Sequence, residues 1–206
     1  MRRLVLCSAI GSVALLLSLA PSGNAGRPQT NIHNESRLTF SNPVRVPGTT
    51  LPAGTYTFSV PFSTNRNRSI VKITSPNGDK VFATILAVSD YRPEPVAHTL
   101  IIFGNTGSCD GATPIKAWFS ARGRYGYRFV YPEEQAAEIA SACNEPVPET
   151  HSEAAKKSNL DPSQFPALEK SDVGIVTPTK QEEQYDPSEL ASGDKADQDG
   201  FDVNNQ

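Results

Sequence analysis

From Arg37 to Tyr131 the chain is built of short β-branched and aromatic runs, each cut off by Gly, Pro or Asn. That punctuation leaves no room for long helices and reads as successive short strands. Thr55-Tyr56-Thr57-Phe58-Ser59-Val60 alternates with a period of two, which places Tyr56, Phe58 and Val60 on one face. A face of that kind has to be covered. Pro47-Gly48 and Leu51-Pro52-Ala53-Gly54 are turn signals on either side of Thr49-Thr50. Ile70 to Thr74 and Lys80 to Val88 form a predicted hairpin around Ser75-Pro76-Asn77-Gly78-Asp79, where Asn-Gly supplies residues that tolerate positive φ.

His98 to Phe103 is almost continuously apolar, as expected of a central strand covered on both sides. Ile115 to Ser120 and Tyr125 to Tyr131 give a second predicted hairpin, across Ala121-Arg122-Gly123-Arg124. On its second arm Tyr125, Tyr127, Phe129 and Tyr131 share a face, with Arg128 on the other. Four aromatics in register suit a core face better than a ligand platform, because a small sheet needs them to pack.

Pro132 to Cys143 carries helix signals: proline at the start, Glu133 and Glu134 in the first turn, and Asn144 then Pro146 as a stop. Ala136, Ile139, Ala140 and Cys143 recur at i, i+3, i+4 and i+7, so the helix should bury that stripe. The predicted fold class is therefore mainly β, a small antiparallel β-sandwich or barrel-like domain followed by one C-terminal α-helix. Its expected bounds are residues 32–145.

The two flanks differ from this domain. Residues 1–25 read as a signal peptide: Arg2 and Arg3 precede the charge-free apolar run Leu4 to Ala20, and Gly23-Asn24-Ala25 offers small residues at a cleavage site. Residues 146–206 hold 13 Asp and Glu against 5 Lys, with only 10 Leu, Ile, Val and Phe and six prolines. That balance predicts a disordered acidic tail, with Val173-Gly174-Ile175-Val176 as its one apolar island and a candidate partner-binding strand. Asp197, Asp199 and Gly200 resemble part of a calcium loop, but Lys195 and Gln206 stand where coordinating carboxylates are needed. A solvated terminus is the better reading of those residues.

Export would carry two cysteines, Cys109 and Cys143, into an oxidising compartment, since Cys7 leaves with the signal. A disulfide between them is expected, joining the helix to the loop before the second hairpin. Neither cysteine has the C-x-x-C spacing or adjacent His of a redox or metal pair.

Val46-Pro47-Gly48, Leu51-Pro52-Ala53-Gly54-Thr55-Tyr56, Ala83-Thr84-Ile85-Leu86-Ala87, Lys116-Ala117-Trp118-Phe119, Tyr125-Gly126 and Phe129-Val130-Tyr131-Pro132 together resemble a family of bacterial exported proteins. The resemblance covers about residues 38 to 142. It implies a signal peptide, a single β-rich domain and a polar tail, with no established activity and no catalytic residue to carry over.

Searching the residues for chemistry yields little. His33, His98 and His151 fit no metal-ligand spacing, and H-E-x-x-H, G-x-S-x-G and P-loop motifs are absent from the sequence. Asp90 and Glu94 flank Tyr91-Arg92-Pro93 and read as solvated acids or partners of Arg92. Arg66 and Arg68 in one loop, and Arg122 and Arg124 in another, are candidate anion-binding loops, with ordinary solvated turns as the competing reading. A net charge of -3 argues against a nucleic-acid partner.

The expectation is an exported, non-enzymatic β-rich module, periplasmic or extracellular, without cofactor or metal and not an integral membrane protein once its signal is removed. Its partner would be an envelope or extracellular protein or a polysaccharide. The alternative is an envelope hydrolase whose catalytic residues come together only in the fold.

Overall fold

The computed structural model describes residues 35–63, 67–105 and 112–185, together with the backbone of a two-residue strand at 201–202. The protein is mainly β. Its strands are β1 (Glu35–Phe40), β2 (Val44–Val46), β3 (Thr49–Leu51), β4 (Gly54–Phe62), β5 (Arg68–Thr74), β6 (Val81–Tyr91), β7 (Leu100–Phe103), β8 (Thr113–Phe119), β9 (Tyr125–Phe129) and β10 (Tyr131–Pro132). Helix α1 (Glu133–Cys143) then leads to β11 (Val147–Thr150), α2 (Phe165–Glu169), β12 (Gly174–Val176), β13 (Glu182–Gln184) and β14 (Phe201–Asp202).

Local chemistry places the turns. Gly78 takes φ 81° and its N–H donates to Ser75 O at 2.9 Å, closing the expected hairpin between β5 and β6. Tyr56 folds its hydroxyl back to donate to Pro52 O at 2.8 Å, which ties the Leu51-Pro52-Ala53-Gly54 turn to β4.

One sheet runs β1-β4-β5-β6-β9-β8-β2-β3, with β7 beside β8 and β14 beside β7. A smaller sheet runs β10-β11-β12-β13. The expectation of purely antiparallel pairing is corrected at two places. Val44 and Arg45 of β2 pair in parallel with Thr113 and Pro114 of β8, and β10 pairs in parallel with β11. Parallel neighbours need a crossover, and α1 supplies it between β10 and β11. The helix is therefore the middle of a β-α-β unit and not a terminal element. β7 is covered on both faces, as its sequence requires, but beyond β8 only the two residues of β14 pair with it.

Side chains from β1 through β9 converge on one core, so the long sheet wraps its inner face around it. Phe58 lies 5.7 Å from the Trp118 ring and 6.4 Å from the Phe129 ring, measured between centroids. α1 closes this core with Ala136, Ile139, Ala140 and Cys143, the stripe its periodicity predicts. Asn144, at φ 51°, ends the helix in the left-handed conformation. The buried hydroxyl of Tyr131 donates to Ile115 O at 2.8 Å.

The largest correction concerns the segment after Pro146. It is not an unfolded tail over 147–185, and no boundary falls at 145. β5 and β6 are apolar on both faces, and their outward side chains Ile70, Leu86 and Val88 join Val130 in a second cluster. Ala155, Leu160, Phe165 and Leu168 cover it. Arg68 fastens the cover by donating from Nη1 to Glu169 O at 3.1 Å and to Ser171 O. The apolar island at 173–176 finds its partner within the chain, as β12 between β11 and β13. Composition misled here because apolar residues are few but placed: Val147, Leu160, Phe165, Leu168, Ile175 and Val176 are all buried. Residues 1–25 and 195–200, with the signal and calcium-loop readings that rest on them, lie outside the described residues.

Candidate functional site

Two clusters of chemistry stand apart from the cores. The first lies where β6 and β9 run out together. Tyr91 and Tyr125 are direct cross-strand partners, with ring centroids 5.2 Å apart. They are 44% and 60% exposed, the two large apolar side chains left open to solvent among the described residues.

Backbone hydrogen bonds bring three arginines to the same end. Arg92 N–H donates to Arg124 O at 2.8 Å, Arg122 N–H to Val96 O at 2.7 Å, and Val96 N–H to Gly123 O at 3.1 Å. The loop after β6 and the turn before β9 are thereby zipped together. Arg122 holds φ 64° in that turn, and both Arg122 and Arg124 are exposed. The Arg92 guanidinium sits 5.7 Å from the centre of the Phe119 ring. Glu94 is the exposed acid of the same loop.

Directly beneath, Arg128 Nη2 meets Asp90 Oδ2 at 2.9 Å, with side chains 3% and 5% exposed. Asp90 Oδ1 also accepts the N–H of Tyr91 at 2.8 Å. The buried pair thus braces the tyrosine platform from below. It corrects the reading of Asp90, which is neither solvated nor paired with Arg92.

Of the four arginines in the candidate anion-binding loops, the fold brings Arg122 and Arg124 together with the tyrosines. Arg68 instead donates to the carbonyls of Glu169, the last residue of α2, and of Ser171 just beyond it. Arg66 lies outside the described residues. The aromatic stripe divides along its length: Phe129 and Tyr131 are core, Tyr127 is half-buried, and Tyr125 is outside. Core packing is right for its inner end only.

The second cluster gathers around His151, which follows β11. His151 Nε2 lies 3.5 Å from Glu133 Oε2 at the start of α1 and 3.8 Å from Glu182 Oε1 at the start of β13. Its Nδ1 lies 3.6 Å from Glu149 Oε2. Glu149 is only 2% exposed, and its Oε2 has no hydrogen-bond partner. Burial pushes its carboxyl above the ordinary range, opposed by His151 and reinforced by Glu182 and Glu133. Gly174 makes room for it, since a Cβ there would come within 2.4 Å of Glu149 Oε1. Sequence reasoning missed this cluster because it took His151 for a residue of an unfolded tail. The signal was the spacing Glu149-x-His151, which puts both side chains on one face of an extended segment.

Cys143 is buried on the core side of α1, and a Cβ placed on Gly104 would lie 3.7 Å from its Sγ. Cys109 lies outside the described residues, as does His33; His98 is exposed. Among the described residues no helix is long and apolar enough to cross a membrane. Compared with models of known families, with curated proteins and with solved structures, the chain matches none.

Proposed function

We propose that the protein is an exported, non-catalytic binding module that holds an anionic polysaccharide at the tip formed by Tyr91, Tyr125, Arg122 and Arg124. The observation that carries this reading is the exposed cross-strand tyrosine pair, flanked by arginines and braced on a buried ion pair. Tyrosine faces suit the apolar faces of sugar rings, and guanidinium forks suit their carboxylates. The charged, apolar start of the chain and the resemblance to exported bacterial proteins support the export half of the reading. A bridge from Cys143 to Cys109 belongs to the same proposal, supported by the place of Gly104, five residues before Cys109 in the sequence, beside the Cys143 sulfur.

The test is affinity electrophoresis of the exported protein through gels containing a uronic-acid polysaccharide, with a neutral glucan as control. Retention by the acidic polymer is expected. At about 0.5–1.5 kcal/mol per aromatic contact, Tyr91→Ala with Tyr125→Ala should weaken binding roughly 5- to 150-fold. Arg122→Gln with Arg124→Gln should reduce both the affinity and its salt dependence. Equal retention of wild type and both double variants would overturn the assignment, and shortening of the polymer during incubation would favour a hydrolase.

A further inference from the structure

We propose that His151, Glu133 and Glu182 form a binding site for a divalent transition-metal ion of the zinc type, with Glu149 as the positioning residue behind the histidine.

The donor set comes from three separate elements. Glu133 opens α1, His151 follows β11 and Glu182 opens β13, and one ligand atom from each lies within 4.8 Å of the others. A tetrahedral ion with bonds of about 2.0–2.2 Å separates its ligand atoms by roughly 3.3–3.6 Å. The histidine-to-carboxylate distances of 3.5 and 3.8 Å already approach that spacing. Only small rotamer adjustments are needed to close on an ion, and three protein ligands leave a fourth position open for water.

Glu149 is the independent indication. A carboxylate 2% exposed with an oxygen lacking any hydrogen-bond partner is costly to keep. Here that oxygen faces His151 Nδ1 at 3.6 Å, the ring nitrogen turned away from Glu133 and Glu182. A proton on Nδ1, the side that faces Glu149, would leave the Nε2 lone pair facing the other two carboxylates. This is the carboxylate–histidine–metal arrangement by which protein sites orient an imidazole ligand.

Charge points the same way. Glu133, Glu149 and Glu182 bring three carboxyl groups to one imidazole, an acidic surrounding that a bound dication would offset. The mixture of imidazole and carboxylate favours a zinc-like ion over calcium or magnesium, which take all-oxygen shells. The ion would also help to hold β13, whose three residues are exposed and whose backbone pairs with β12.

The full chain, stripped with a chelator and dialysed, should be titrated with Zn²⁺ by calorimetry, and its thermal midpoint followed with and without the ion. One high-affinity equivalent is expected, with a rise in midpoint. His151→Ala and Glu182→Gln should each weaken that equivalent at least 10-fold and abolish the rise; both side chains are over half exposed, so neither variant threatens the fold. Glu149→Gln should weaken it by about 10- to 100-fold while leaving the stoichiometry intact. Glu134→Gln and Glu183→Gln, neighbouring acids outside the donor set, should bind as wild type does. The proposal is overturned if no saturable equivalent appears, if His151→Ala binds unchanged, if the two control variants lose as much as Glu182→Gln, or if Ca²⁺ binds as tightly as Zn²⁺.

Discussion

Leu168→Ala separates a tail that is part of the fold from one that merely trails it. Leu168 lies fully buried in α2, within the cluster of Ile70, Leu86, Val88, Val130 and Phe165 on the outer face of β5 and β6. Truncating a buried leucine removes its transfer free energy and leaves a cavity, at a cost of about 2–5 kcal/mol. The protein contains a single tryptophan, Trp118, fully buried in the other core and 5.7 Å from Phe58. Its fluorescence therefore reports the inner face of the sheet while the mutation strikes the outer one. With a urea dependence of about 2 kcal/mol per M, a loss of about 3 kcal/mol moves the Trp118 midpoint down by roughly 1.5 M. Lys170→Ala, two residues further on and exposed, should stay within about 0.5 kcal/mol of wild type. If the Trp118 midpoint of Leu168→Ala matches wild type, or if circular dichroism shows the tail melting in a separate early transition, the two-layer reading is wrong.

Asp90→Ala removes the carboxylate that Arg128 Nη2 meets at 2.9 Å in a buried setting, and should cost about 3–5 kcal/mol in chemical denaturation. Replacing the pair together, as Asp90→Leu with Arg128→Met, should recover much of that loss. Gly126→Ala would bring a Cβ to 2.5 Å from the ring of Phe119, itself fully buried, so a thermal melt should show a loss of about 1–3 kcal/mol. The proposed Cys109–Cys143 bridge closes a loop worth about 3–4 kcal/mol, so Cys143→Ala should lower the denaturation midpoint accordingly. Two alkylatable thiols in the unreduced exported protein would count against the bridge.

The β-rich part of the fold is legible because its signals are local. The alternation in β4, the Asn77-Gly78 turn and the α1 stripe each need only a few residues of context, and each stands where the sequence puts it. The parallel pairings are not legible, because they depend on which distant segments the crossovers bring together. Nor was the second layer read, although one clue was present. The run Val81 to Val88 is nearly all apolar, and a strand buried on both faces demands a cover that the 32–145 domain could not supply. The missing cover was Leu160, Phe165 and Leu168, set among charged and polar neighbours that made the segment look too dilute to fold.

That same misreading hid the histidine cluster, and the reason is physical. Average charge predicts solvation only if the charges are free to point outward, whereas β11 buries all four of its residues, Glu149 among them. Burial there pushes the Glu149 carboxyl up, with His151 opposing and Glu182 and Glu133 adding to the shift. The tyrosine and arginine tip was half visible for the opposite reason: Arg122, Arg124 and Tyr125 are local to one hairpin, but only the zipped loops bring Tyr91 and Arg92 beside them. Both clusters follow from backbone pairing first and side-chain chemistry second. Mutations that loosen the pairing, such as changes at Val96 or β12, should therefore weaken the sites without touching any residue that binds.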